Sequence, residues 1–155
     1  MSIEDDIAFL ERVGMLSLLG HDALRIVAIG AESRYVHDGD ILFRQGDVAD
    51  AGYVVQEGSI LLESRDPHVL SAPITVGPGA LLAELALLTE TVHQATAMAI
   101  EPSAVVRIPR KLFLRVLEGY PDAASRLRDK IAVRATEAMS DIVSVRQAFE
   151  VPEEH

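Results

Sequence analysis

Gly77-Pro78-Gly79-Ala80-Leu81-Leu82-Ala83-Glu84-Leu85-Ala86-Leu87-Leu88, followed by Thr89-Glu90-Thr91-Val92-His93-Gln94-Ala95-Thr96, is the stretch that decides the fold. A Gly-Pro-Gly turn leads into a short apolar helical turn that carries a single carboxylate, Glu84. A polar loop follows, and then a new apolar run. One acid in so apolar a setting requires a hydrogen-bonding partner, because an unpaired buried charge is costly. A ligand hydroxyl, backbone N–H groups and trapped water are the candidate partners.

On both sides of this stretch the apolar residues come in short runs separated by turn residues. Tyr35-Val36-His37 leads to Asp38-Gly39-Asp40, and Ile41-Leu42-Phe43 leads to Gln45-Gly46-Asp47. Tyr53-Val54-Val55 leads to Glu57-Gly58-Ser59, then Ile60-Leu61-Leu62. Ile74-Thr75-Val76, residues 95–100 and Val105-Val106-Arg107-Ile108 follow. Short strands with Gly-centred turns predict a sandwich or jelly roll. The glycines meet the need for positive φ at tight reversals.

The two ends read as helices. Ser2 with Glu4 and Asp5 predicts a capped start, and Ile7, Leu10 and Val13 share one face of a helix running to about Val13. Asp22 is the expected cap of a second helix, with Leu24, Val27 and Ala28 on its inner face. After Pro109 a short helix spans residues 111–119, and the Gly119-Tyr120-Pro121-Asp122 turn starts a long one to about Phe149. In that helix Ala124, Ile131, Ala138 and Val145 alternate with Arg128, Ala135, Ile142 and Phe149, an a/d seam interrupted by Arg128. The seam predicts a homodimer through residues 122–149; a helix folded back on its own barrel is the alternative.

Composition narrows the function. The chain has 155 residues, 49% of them apolar, which suffices for one domain with a real core. The net charge of −10 lies in the first 100 residues, where 15 acids face 5 Lys or Arg; the remainder is balanced, with 9 of each. No basic stripe exists to neutralise phosphates, so direct DNA binding is not expected. The absence of cysteine excludes disulfides, thiolate metal sites and thiol redox sensing. Neither a signal sequence nor an apolar stretch of about 18 residues is present, so no membrane span is expected and a cytoplasmic location is the default. His21, His37, His68, His93 and His155 are scattered without metal-ligand spacing, and no serine lies in a nucleophile elbow, so an enzyme is not expected.

Together these segments resemble the cyclic-nucleotide-binding domains of catabolite-activator-type regulators, protein-kinase regulatory subunits and gated channels, over roughly residues 7–135. The stretch from Gly39 to Asp47 and that from Gly52 to Gly58 are similar to the family's Gly-Asp-x-Ile-Phe-x-x-Gly-Asp and Tyr-x-Val-x-x-Gly patterns. Residues 77–96 resemble its phosphate-binding cassette, in essence Gly-Glu-Leu-Ala-Leu-Leu, a few residues, then Pro-Arg-Ala-Ala-Thr. Glu84-Leu85-Ala86-Leu87-Leu88 and Ala95-Thr96 match. Ala83 stands where the family has Gly, Val92 where it has Pro, His93 where it has Arg, and Gln94 where it has a small residue.

The resemblance implies a mainly β fold with flanking helices, a double-stranded β-helix or jelly-roll barrel. A helical pair occupies residues 1–33, the roll residues 34–109, and C-terminal helices residues 110–150, within a single stand-alone domain lacking a helix-turn-helix. It further implies a non-catalytic regulatory module without a resident cofactor. The ligand would be cAMP or cGMP, and an unnamed protein partner would be signalled through movement of the long helix. Glu84 would accept from the ribose hydroxyl, while Leu82, Ala83 and Leu85 would offer backbone N–H groups to the phosphate. His93, Gln94 and Ala95 would line its far side, and Arg134, with Arg126 and Thr136 as further candidates, would cover the base. Exchanging Arg for His at position 93 removes a permanent charge, an expected loss of about 1.5–3 kcal/mol. The ordinary alternatives are a near-surface loop histidine at 93 and, at 84, a carboxylate satisfied by helix-start N–H groups. Two other functions remain open: a pocket that has lost nucleotide and serves as an interaction module, and a sensor of another ligand, such as an apolar acid, suited to Leu81, Leu82, Leu87 and Leu88.

Overall fold

A computed structural model describes residues 2–131. Three helices, ten strands and a final helical stretch over residues 121–131 are present. Helix α1 (Ile3–Leu10) begins with a complete capping box: the Ser2 hydroxyl accepts from the Asp5 amide, and the Asp5 carboxylate accepts from the Ser2 amide. The helix ends earlier than its apolar spacing predicts. A 3₁₀ turn, Gly14–Leu18, carries the chain on to α2 (His21–Gly30). Asp22 is not the cap of α2. That position is Gly20, with φ 85°, and Asp22 sits in the first turn, where its charge suits the helix dipole.

The strands are β1 (Glu32–Val36), β2 (Ile41–Phe43), β3 (Val48–Ala49), β4 (Ala51–Glu57), β5 (Ile60–Glu63), β6 (Ile74–Val76), β7 (Leu81–Leu82), β8 (Thr91–Val92), β9 (Thr96–Ala99) and β10 (Ser103–Pro109). They form two four-stranded antiparallel sheets, ordered β1-β10-β4-β7 and β2-β9-β5-β6, and a small β3-β8 ribbon. Helix α3 (Arg110–Gly119) follows β10 directly. The fold is mainly β with N-terminal helices and a C-terminal helical region, as the turn spacing predicts.

Alternation along β4 builds two cores at once, because successive side chains point to opposite faces. Tyr53 and Val55 join Val36, Ile60, Leu82, Ala97 and Val105 inside the roll. Val54 faces the other way and packs with Ile7, Leu24, Leu87, Ile108, Phe113 and Leu127 beneath the helices. The cassette straddles both cores, with Leu82 in one and Leu87 in the other. Gly52 makes this possible, since a Cβ there would lie 2.8 Å from Leu87 Cγ. Gly58 is required twice over: its φ is +90°, and a Cβ would meet Ser103 Oγ at 2.2 Å.

In the final helical stretch Ala123 and Leu127 are buried in the helical core, so this part packs on its own chain. Ala124, Arg128 and Ile131 from the a/d seam border an apolar groove with Leu88, Leu114 and Leu117. The rest of the seam lies outside the described residues. Among those described, no helix is long and apolar enough to cross a membrane.

Candidate functional site

The cassette is held open by its backbone. After β7 the chain turns at Ala83, whose φ of 58° and ψ of 41° place it in the left-handed region. Among the described residues it is the single non-glycine with positive φ. For an L-residue this conformation costs about 1–2 kcal/mol, so the bend is retained at the expense of strain. A 3₁₀ turn, Glu84–Leu87, follows, with Glu84 in its first position. The Ala86 amide donates to the Ala83 carbonyl at 3.0 Å, and the Thr89 amide to that of Leu85 at 3.1 Å, closing the turn.

Beyond the turn, β8 pairs with β3, setting Val92 opposite Val48. The pairing continues through His93, whose amide donates to Asp47 (2.8 Å) and whose carbonyl accepts from Gly46 (2.9 Å). Thr96 Oγ1 accepts from the Gln45 amide at 2.9 Å. Together these segments wall a cavity of about 440 Å³, within the size range of small-molecule sites. Seven of the eight residues that sequence reasoning singles out line it: Leu82, Ala83, Glu84, Leu85, His93, Gln94 and Ala95. Arg134, like Thr136, lies outside the described residues. Arg126 belongs elsewhere: its Nε donates to the Leu18 carbonyl at 2.8 Å and its Nη2 to that of Leu19 at 3.3 Å, tying the final helical stretch to the N-terminal turn.

His93 is not a near-surface loop histidine. It is 6% exposed, and its ring lies flat on Phe43, with centroids 3.8 Å apart and planes at 8°. Its Nδ1 is shut off from solvent and has no hydrogen-bond partner among the described residues. Desolvation lowers its pKa against the opposing pull of Asp47 and Asp50. A neutral ring stacked in the wall does not replace a guanidinium. Among the described residues no Lys or Arg lines the cavity, and Phe43, Leu62, Val69 and Leu81 give it an apolar floor that the cassette sequence alone does not announce. Phe43 and Leu62 belong to apolar strand runs visible in the sequence; their convergence here is a product of the roll.

Comparison with known proteins agrees with this geometry. The family described as cyclic nucleotide-binding domain matches residues 33–120. The solved cyclic nucleotide-binding-like protein of Brucella abortus is 38% identical, with a TM-score of 0.63 over 74% of this chain and 98% of that one. The regulatory domain of Toxoplasma gondii PKA, solved with cAMP, is 27% identical, with a TM-score of 0.67 over 87% of this chain and 50% of that one. Lysophospholipase nte1 of Neurospora crassa is 31% identical over 107 residues, which are 68% of this chain. The match spans 7% of that enzyme's length. On the family match and the Brucella relative, this chain belongs to the cyclic nucleotide-binding domain family.

Proposed function

We propose that this chain is a non-catalytic regulatory module that senses a cyclic nucleotide, cAMP or cGMP, in the cassette cavity. One observation carries the reading: Glu84 and the bend at Ala83 border a single cavity of ligand size. Glu84 at the start of the turn accepts from the ribose hydroxyl. The early N–H groups of a helical turn have no intrahelical acceptors and face the phosphate instead. With His93 neutral, no side-chain cation assists, so binding is weaker than an arginine-bearing cassette would give. The PKA relative was solved with cAMP, and in the lysophospholipase the matched segment is a small fraction of an enzyme, as befits a regulatory part. Filling the cavity shifts the final helix relative to the roll and alters what it presents to a protein partner or to a second copy through residues 122–149.

Saturation-transfer NMR with cAMP and with cGMP tests this. Transfer to ribose protons that Glu84→Ala removes supports it; no transfer from folded wild-type protein refutes it. The cation-free, apolar lining favours one second reading, an uncharged apolar ligand. Uptake of N-phenyl-1-naphthylamine into the cavity, with both nucleotides inert, is the outcome that selects it.

A further inference from the structure

Arg110 stands where a helix disfavours it. It is the first residue of α3, Lys111 follows, the first turn holds no acid, and the N-cap Pro109 makes no side-chain cap. Cations at a helix N-terminus oppose the dipole. The compensation comes from the cassette. Arg110 Nη1 lies 3.3 Å from the Ala86 carbonyl and 3.1 Å from the Thr89 carbonyl, at the C-terminal end of the Glu84–Leu87 turn, where a cation is favoured. The same nitrogen is 3.0 Å from the Ala49 carbonyl on β3. The Arg110 amide donates to the Asp50 carbonyl at 2.9 Å.

One guanidinium nitrogen therefore joins the exit of the cassette turn and the β3 wall of the cavity to the first residue of α3. Leu88, between the bonded segments, borders the groove formed with Leu114, Leu117 and Ile131. Motion of the turn thus has both a polar and an apolar route to the helices.

We propose that Arg110 is the positioning residue that couples the cassette cavity to α3, so that occupancy of the cavity is reported at the start of that helix. This role builds on the reading of the cavity as a ligand site, but the coupling itself exists without ligand. Amide hydrogen exchange on the free protein reads it directly. In Arg110→Met, which keeps the apolar stem, the amides of Ala86, Leu88 and Thr89 and those of the first α3 turns should exchange about tenfold faster or more, while β4, β9 and β10 stay protected as in wild type. Arg110→Lys, whose single ammonium carries three donors, should restore most of the protection. Unchanged cassette exchange in Arg110→Met overturns the proposal, as does acceleration spread evenly through the sheets.

Adding cAMP or cGMP supplies the second arm. Wild-type protection should spread from the cassette into α3, and in Arg110→Met it should stop at the cassette. Cassette protection that never reaches α3 in wild type also overturns the proposal. If neither nucleotide protects the cassette, the nucleotide reading fails, and the free-protein exchange alone decides the role of Arg110.

Discussion

His93 lies flat against Phe43, ring centroids 3.8 Å apart, in the wall of the cavity bordered by Glu84. The stack gives buried aromatic contact and brings no permanent charge to the cavity. On the proposed reading of the cavity as a nucleotide site, a guanidinium at this position should have two opposite effects. His93→Arg is expected to tighten cAMP binding about ten- to a hundredfold and to lower the melting temperature, because the stack is lost and a charge enters a buried site. Calorimetry and thermal melts on the same preparation check the pair of effects.

Burial lowers the His93 pKa in the folded protein, so the unfolded chain takes up this proton first as pH falls. The stability tied to neutral His93 is fully present above its unfolded pKa of about 6.5. It is lost progressively as pH falls from there toward the lower folded value. Thermal melts between pH 7.5 and 5.5 should show this loss in wild type, and His93→Gln should flatten that part of the profile. A wild-type stability that rises on acidification through this window contradicts the assignment.

Ala83 adopts a conformation that glycine occupies without strain. Ala83→Gly should stabilise the fold by about 1 kcal/mol, the relief of the left-handed bend less the added freedom of the unfolded chain. For a domain of this size that corresponds to a rise of about 2–4 °C in melting temperature. A fall would show that the bend is not strained.

Gly58→Ala should act in the opposite sense. Its Cβ would collide with Ser103 Oγ and with the Pro102 carbonyl while adopting a φ of +90°. Ser103 Oγ also accepts from the Ser59 amide at 3.1 Å, so moving it breaks a second contact. A loss of about 2–4 kcal/mol is expected from strain and overpacking together, measured by urea unfolding.

Much of this architecture is legible in the chain because its turns are spelled out. Gly39, Gly46 and Gly58 all take the positive φ that their turn positions predict, and the capping box at Ser2 follows from Ser and Asp at the right spacing. The strands β3, β7 and β8 are two residues each, too short for alternation to show. The cassette residues gather on one cavity because they are near neighbours in sequence. Of the two readings of His93, the cavity wall and the near-surface loop, the second fails because its ring packs with Phe43 and Tyr53, 50 and 40 positions upstream. Arg110 is equally silent in the sequence: its side-chain hydrogen-bond partners among the described residues are carbonyl oxygens, which carry no residue signature.

Titration calorimetry of cAMP and cGMP at pH 7.5 and 6.0, with Glu84→Ala alongside, tests the central claim most directly. The account predicts saturable binding to wild type that changes little between the two pH values, since the His93 ring is stacked on Phe43 in the wall and off the phosphate, and that Glu84→Ala abolishes. No heat up to about 1 mM ligand from folded wild-type protein, or binding that Glu84→Ala leaves intact, would contradict it.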